Sequence, residues 1–535
     1  MRFLPRTRGG VLWRALLAGV LVIGFAAATT AVAGLLQVKS VASDLSVGAT
    51  HISHLTLPSP GEPETLLLIG SDHRLGTPYA GSNTDTMMLV RLDDSSQTVN
   101  LLSIPRDLAV ENSSGAWVKL NSIYSDQGGS GGLVKVLQTQ VFPGLQVNHV
   151  IDMNYEGFSD LVDAIGCVDT DVDHRYYNLT SPGVDNYSSI DIQPGYQRLC
   201  GGVYSNTGTN SALAFVRFRH TDSDKVRNAR QQDFIRWARD NYTTGDLLSN
   251  RDKLLKIFGR HVTVDSSLAS TDGLLDLFDL VVNATKLTLK TIPFPENFGP
   301  CTSTECNVYP CVTMATCTGS VPTNPTTLPQ ATAAEQAAYK ALMTPTLAPP
   351  ATTAKPKPKP APQRTAPRGL SLAGLTADPH DGAAQASRLA NAGLPVYYPK
   401  YIVSGSEYCS GVSGNCDNPD EPASAYAHSY PRAYAIDGAG GRAYPSYVMT
   451  VMIDADEGWY YTVQGTTWKD APILREPSKI VHVAGKRLVE YDDGSKVSLV
   501  AWYTPTAVYW ISNTLDNEIP NGEMLAIAAT LTPAA

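Results

Sequence analysis

The stretch "ETLLLIGSDHRLGTPYAGSNTDTMMLVRL", residues 64–92, decides the fold. "TLLLIG" (65–70) and "TMMLVRL" (86–92) are short apolar runs with β-branched and long aliphatic residues, stopped by Gly or preceded by Asp. Short apolar runs ended by Gly, Asp or Pro read as strands. "VNLLSI" (99–104) is a third. Further along, "GGLVKVLQTQVF" (131–142) and "YEGFSDLVDAIG" (155–166) have helical spacing, and the second ends at a glycine, a usual helix stop. "LAFVRFR" (213–219) reads as a strand with Arg217 and Arg219 on one face, and "KVRNARQQDFIRWARDN" (225–241) as a helix. Alternating strands and helices from 62 to 300 predict a layered α/β or α+β domain.

Outward from this domain the chain changes character. Arg2, Arg6, Arg8 and Arg14 precede an uncharged run of 22 residues, 15–36, long enough to cross a bilayer as a helix. The charge bias predicts a cytoplasmic tail (1–14), a single membrane anchor (15–36), a stalk (37–61) and extracytoplasmic main domains. Ala31-Val32-Ala33 leaves a cleaved signal peptide as the alternative, with the same side of the membrane for the rest. The eight cysteines all follow the anchor, which reads as disulfides in an exported chain. Cys167 with Cys200, and Cys409 with Cys416, are the expected pairs. Cys301, Cys306, Cys311 and Cys317 lack the tight C-x2-C knuckle and nearby His of a zinc site. Residues 321–368 carry eleven prolines and read as an extended linker within a segment 301–384, although "AAEQAAYKALM" has helix-forming composition. A second domain, 385–535, combines strand runs, an Asp-Gly hairpin signal in "EYDDGSKV" and a final helical "NGEMLAIAATL", an α+β pattern. A net charge of −9 argues against bulk nucleic-acid binding.

Within the first domain, charged residues gather at strand ends, where ligands of open α/β sheets bind. Asp72 and Arg74 follow the first strand; Asp85 opens the second; Arg106 and Asp107 leave the third; Arg217, Arg219, Arg227 and Gln231 belong to 213–232. Two carboxylates on adjacent strand ends suit Mg²⁺, which takes one or two carboxylates plus substrate phosphates. Guanidinium forks match phosphate oxygens. Together they point to a pyrophosphate. Taken singly, each Asp is as easily a turn residue and each Arg a solvated surface charge.

In order, "LLLIGSDHR", "DTMMLV", "LLSIPRD", "KLNSIYSDQGG", "FSDLVDAIGCV", "ALAFVRFRH" and "DKVRNARQQ" resemble the LytR–CpsA–Psr family of cell-envelope proteins over about 64–290. The C-terminal half resembles the extra domain of its actinobacterial members. The resemblance implies a three-layer α/β/α domain after one membrane helix. It implies a Mg²⁺-dependent phosphotransferase that moves a glycopolymer from a polyprenyl-pyrophosphate carrier to peptidoglycan, with pyrophosphatase side activity. By motif, Asp72 and Asp85 serve the metal; Arg74, Arg227 and Gln231 join Arg106, Arg217 and Arg219 on the pyrophosphate; Asp107 or a metal-site aspartate is the base. The family's Arg-Ser-Asp is here Asn83-Thr84-Asp85, so Asn83 offers a neutral amide where the family has a charge. That substitution keeps a rival reading open, a module that binds or senses lipid pyrophosphates without turnover. A transcriptional attenuator is the remaining alternative, at odds with an exported chain.

Overall fold

The computed structural model describes residues 51–52, 55–56, 62–73, 77–178, 190–201, 211–218, 224–241, 244–270, 272–273, 287–298, 308–310, 332–344, 363–364, 370–411, 416, 429–438, 441–455, 457–475 and 477–534. The predicted anchor at 15–36, Arg74, Arg219, the four cysteines from 301 to 317 and most of the linker lie outside these residues. Among the described residues no helix is long and apolar enough to cross a membrane.

The three apolar runs are strands β1 (Glu64–Ser71), β2 (Thr84–Asp93) and β3 (Thr98–Ser103). Helices α1 (Leu120–Asp126) and α2 (Ser130–Val136) follow, then β4 (His149–Asn154) and α3 (Tyr155–Ala164). An antiparallel pair, β5 (Val168–Val172) and β6 (Gly195–Leu199), leads to α4 (Ala212–Arg217), α5 (Asp224–Asn241) and α6 (Thr244–His261). β7 (Val262–Val264), β8 (Thr288–Ile292) and α7 (Ala333–Met343) complete the domain. Six strands form one mixed sheet in the order β7-β4-β1-β2-β3-β8.

The strands are apolar on both faces because both are covered. Leu67, Ile69, Met87, Leu89 and Leu102 pack against α1, α2 and α7. Leu66, Met88, Val90 and Leu101 pack with Ile235 of α5 and Phe258 of α6 on the other side. The result is the expected helix–sheet–helix sandwich, with each fully buried aliphatic side chain contributing about 1.5–3 kcal/mol. The "AAEQAAYKALM" helix, predicted inside a linker, is α7; Ala338 and Leu342 are part of the sandwich core, and Thr332 and Glu335 form a capping box.

One expected element is different. "LAFVRFR" is not a strand; Ala212–Arg217 is the short helix α4. Its period-2 pattern is overridden by tertiary contacts. Ala212 to Val216 are buried on every side, so no polar stripe exists to mark a helix. Ser211 accepts from the Ala214 amide at the helix start. At its end, Arg230 of α5 donates to the Phe215 and Phe218 carbonyls, at 3.3 and 2.8 Å, and Gln231 donates to the Val216 carbonyl at 3.0 Å. Side chains of α5 thus satisfy the carbonyls that a helix C-terminus leaves open.

The C-terminal domain is richer in strand than the α+β expectation suggests. Its sheet has nine strands: β9 (Arg432–Asp437), β10 (Ala443–Asp454), β11 (Trp459–Thr466), β12 (Lys479–Val483), β13 (Lys486–Asp493), β14 (Lys496–Tyr503) and β15 (Val508–Ser512), with 363–364 at one edge and 407–408 near the other. Helix α8 (Asn521–Ala529) covers it, burying Met524, Leu525 and Ile527. The predicted Asp-Gly hairpin joins β13 to β14, with Gly494 at φ 58°.

Both expected disulfides, Cys167–Cys200 and Cys409–Cys416, are formed. The first closes a loop over a sequence separation of 33. By loop-closure entropy it contributes about 3–4 kcal/mol. The Cys167→Ser/Cys200→Ser variant should therefore unfold at clearly lower urea concentration than the parent, and an unchanged midpoint would show that the bridge contributes nothing.

Candidate anion site

The topology brings the predicted residues to one sheet edge. β1 and β4 are parallel, β2 is antiparallel to both β1 and β3, and so the ends of β1, β3 and β4 meet the start of β2. Asp72 follows β1, Asp85 opens β2, Arg106 follows β3, and Tyr155 follows β4 as the first residue of α3. Asn154 caps α3, accepting from Gly157 at 2.8 Å, which fixes the ring of Tyr155 at the edge.

Asp85 is the hub. Its Oδ1 accepts from Arg106 Nη1, and its Oδ2 accepts from the Tyr155 hydroxyl and, at 3.1 Å, from Arg217 Nε. The Arg217 guanidinium also lies over the Tyr155 ring, 4.1 Å from its centroid. Burial pushes the Asp85 carboxyl up, but Arg217, Arg106 and Arg227, with the Tyr155 hydrogen bond, outweigh it and hold it at about 2. Burial and the charge of Asp85 push the Tyr155 hydroxyl well above its usual value, so it remains a donor. Arg217 Nη1 is buried and has no hydrogen-bond partner among the described residues.

The other expected residues fall around this hub. Asp72 is exposed, and its Oδ1 accepts the Asn83 backbone N–H at 2.7 Å; the Asn83 carbonyl accepts from Asp72 N at 3.2 Å. The Asn83 backbone therefore positions Asp72, while the residue itself is exposed. Arg227, in the first turns of α5, is buried and close enough to draw down Asp85. Gln231 is buried one turn further on, committed through its amide to Val216. Asp107 turns inward, 1% exposed, with Lys119 Nζ at 3.4 Å and Arg106 Nε at 3.8 Å. Its expected place as a base differs from its position here: the carboxylate lies buried under the site, against two cations, and holds Arg106.

Tyr155 and Asp152 were not expected. Asp152, wholly buried on β4, accepts from Ser71 at 2.7 Å, from Ser130 at 3.2 Å and from Tyr124. It thereby anchors the residue before Asp72. The only cue in the sequence was their place at the end of a strand neighbouring the first.

Asp85 and Asp72 are the carboxylates that could hold a divalent cation here, although both Asp85 oxygens are engaged by Arg106, Arg217 and Tyr155. Tyr155 lies in the field of both Asp85 and Asp72, and Asp85 stays ionised under all ordinary conditions, as a hard cation requires. Among the described residues the one group of three metal-ligating types is Asp163, Cys167 and Cys200, whose sulfurs are already bonded to each other.

Guanidinium groups thus converge on the strand ends of an α/β/α sandwich, an arrangement whose donors match a phosphate-like polyanion. The chain belongs to the LytR_cpsA_psr family, whose model matches residues 32–314, just over half of the sequence. It is 26% identical over 218 residues to the polyisoprenyl-teichoic acid–peptidoglycan teichoic acid transferase TagV of Bacillus subtilis, covering 40% of this chain and 52% of that one. It is 29% identical over 223 residues to TagU of Halalkalibacterium halodurans, an enzyme of the same name class, covering 41% and 65%. The chain thus spans roughly half to two-thirds of these relatives' lengths. A LytR-Csp2A-Psr enzyme from Actinomyces oris superposes with a TM-score of 0.36 at 20% identity, over 49% of this chain and 91% of that one.

The drop of the Asp85 carboxyl from 3.8 to about 2 corresponds to roughly 2–3 kcal/mol of native-state stabilisation. A depressed native pKa gives stability that is complete above the unfolded value and lost as pH falls through 3.8 toward 2. Asp85→Asn should accordingly be less stable than the parent at pH 6 and converge with it near pH 2. Parallel stability curves across that range, measured by denaturant titration, would contradict the assignment.

Proposed function

We propose that the protein is a phosphotransferase that moves a glycopolymer from a polyprenyl-pyrophosphate carrier to peptidoglycan. The observation that carries this reading is the state of Arg217. Its Nε is bound to Asp85, its face rests on Tyr155, and its buried Nη1 has no partner among the described residues, beside two further arginines. A buried donor without an acceptor is costly, and a phosphate oxygen satisfies it. Family membership and relatives named as teichoic acid transferases support the same class of reaction.

In this reading Arg106, Arg217 and Arg227 hold the pyrophosphate, joined by Arg74 and Arg219. An acceptor sugar hydroxyl attacks the phosphorus nearest the glycan. A new P–O bond forms, the bond to the bridging oxygen breaks, and polyprenyl phosphate leaves with that electron pair. The arginines stabilise the charge that grows on the leaving phosphate. Asp72, exposed at the rim, takes the hydroxyl proton. Asp72 and Asp85 would hold Mg²⁺, which supplies further positive charge to the phosphate oxygens. Water in place of the sugar hydroxyl gives pyrophosphatase side activity. The disulfides fit an extracytoplasmic location beyond the predicted anchor.

Asn83, exposed where the family carries an arginine, favours a second reading, binding without turnover. Release of polyprenyl phosphate from a lipid-linked saccharide separates the two. The full chain with Mg²⁺ should release it, and Arg217→Ala should lower kcat/KM by about 100-fold or more while the variant, less stable for losing a partner of Asp85, stays folded at the assay temperature. Arg219→Ala is expected to act in the same direction. A folded parent chain that binds the lipid but releases nothing would establish the binding module.

A further inference from the structure

The C-terminal domain is docked on the first domain through buried polar contacts. Asp171 of β5, itself buried, accepts from Trp510 Nε1 at 3.0 Å and from Gln464 Nε2. The Tyr434 hydroxyl accepts from the Tyr196 amide at 2.8 Å, and the Tyr430 hydroxyl from the Arg175 amide at 2.7 Å. Thr450 donates to the Asp173 carbonyl at 2.9 Å, and Tyr460 stacks on His174 with centroids 4.2 Å apart. Satisfied buried groups of this kind specify one arrangement and penalise its loss.

The same domain grips α5 at two places. At the helix start, Lys225 Nζ lies 3.2 Å from Asp516 and 3.5 Å from Glu457, and 5.1 Å from the Trp459 ring centroid. The turn between β10 and β11 closes on the next residue: a Cβ at Gly458 would come within 2.6 Å of Val226 Cγ2. Three turns on, Arg236 Nη1 binds Asp493 at 2.9 Å, both side chains nearly buried, while its Nη2 holds Asp233. Between these grips lie Arg227, which acts on Asp85, and Arg230 and Gln231, which carry the end of α4 and hence Arg217.

We infer that the C-terminal domain is a clamp that positions α5, and that the anion site has its arginines in register only while the Arg236–Asp493 and Lys225–Asp516 pairs are closed. Arg236, Lys225, Asp493 and Asp516 are positioning residues; none of them touches the hub at Asp85. The inference rests on the anion-site reading above. The interface supports it in another respect. Asp233 is wholly buried, and burial, against the pull of Arg236 and with help from Asp493, Asp173 and Asp516, pushes its carboxyl up to about 8. Arg236 is shared by two buried residues, Asp233 and Asp493, so opening it leaves both without their common hydrogen-bond partner.

The test uses the full chain with Arg236→Asp, Asp493→Arg and the double exchange. Each is assayed by calorimetric binding of inorganic pyrophosphate, by amide hydrogen exchange across 224–241, and by KM and kcat for polyprenyl phosphate release. Each single reversal should weaken pyrophosphate binding and raise KM by on the order of tenfold or more, with faster exchange in α5, because small displacements of positioned groups carry large penalties. The double exchange should restore both. Single reversals that bind pyrophosphate as tightly as the parent, despite faster exchange, overturn the clamp. A double variant that recovers slow exchange but not affinity overturns it equally. A parent chain that binds no pyrophosphate overturns the anion-site reading instead.

Discussion

The site depends on the neutralisation of charge around one carboxylate. Desolvating Asp85 is unfavourable, and three guanidiniums crowded at a sheet edge repel one another. Each problem is the other's solution. Asp85 draws Arg106 and Arg217 to its two oxygens, and Tyr155 adds a neutral donor and an aromatic face. The arrangement is preorganised: the cations are in place before any anion arrives, so binding a polyanion need not reorganise them.

Much of this was legible because the sheet is simple. Strands covered on both faces are written as unbroken apolar runs, and β1, β2 and β3 fall where those runs lie. Since β2 runs antiparallel to both β1 and β3, the residues just past β1 and β3 and at the head of β2 must share an edge, which is why Asp72, Asp85 and Arg106 could be grouped by their places at strand ends. The Asp-Gly hairpin and both described disulfides were similarly local in origin.

What was not legible is set by partners far away in sequence. A six-residue helix buried on all sides has no amphipathic stripe, and α4 is helical because Arg230 and Gln231 satisfy its carbonyls, which no window around 212–217 can reveal. Asp107 looked available since it adjoins Arg106, yet strand-end geometry turns one outward to Asp85 and the other inward to Lys119. Tyr155 was overlooked for a related reason. A tyrosine at a helix start is ordinary, and its importance arises only when the parallel pairing of β4 with β1 sets it against Asp85.

The docked C-terminal domain follows the same logic over a longer distance. Its strands could be read individually, but Gln464 and Trp510 are separated from Asp171 by 293 and 339 residues, and their polar atoms look like misplaced core groups until the partner surface is present. Buried polar groups tolerate few arrangements, because a lost contact costs the full desolvation of the group left behind. An interface built from them is selective more than it is strong. Its position on α5 then has a consequence for the arginines. α5 touches the sheet through Ile235, α4 through Arg230 and Gln231, and the C-terminal domain through Lys225 and Arg236. A helix fixed on three sides cannot shift one contact without straining the others, so the geometry at Asp85 is determined by residues more than four hundred positions away in the chain.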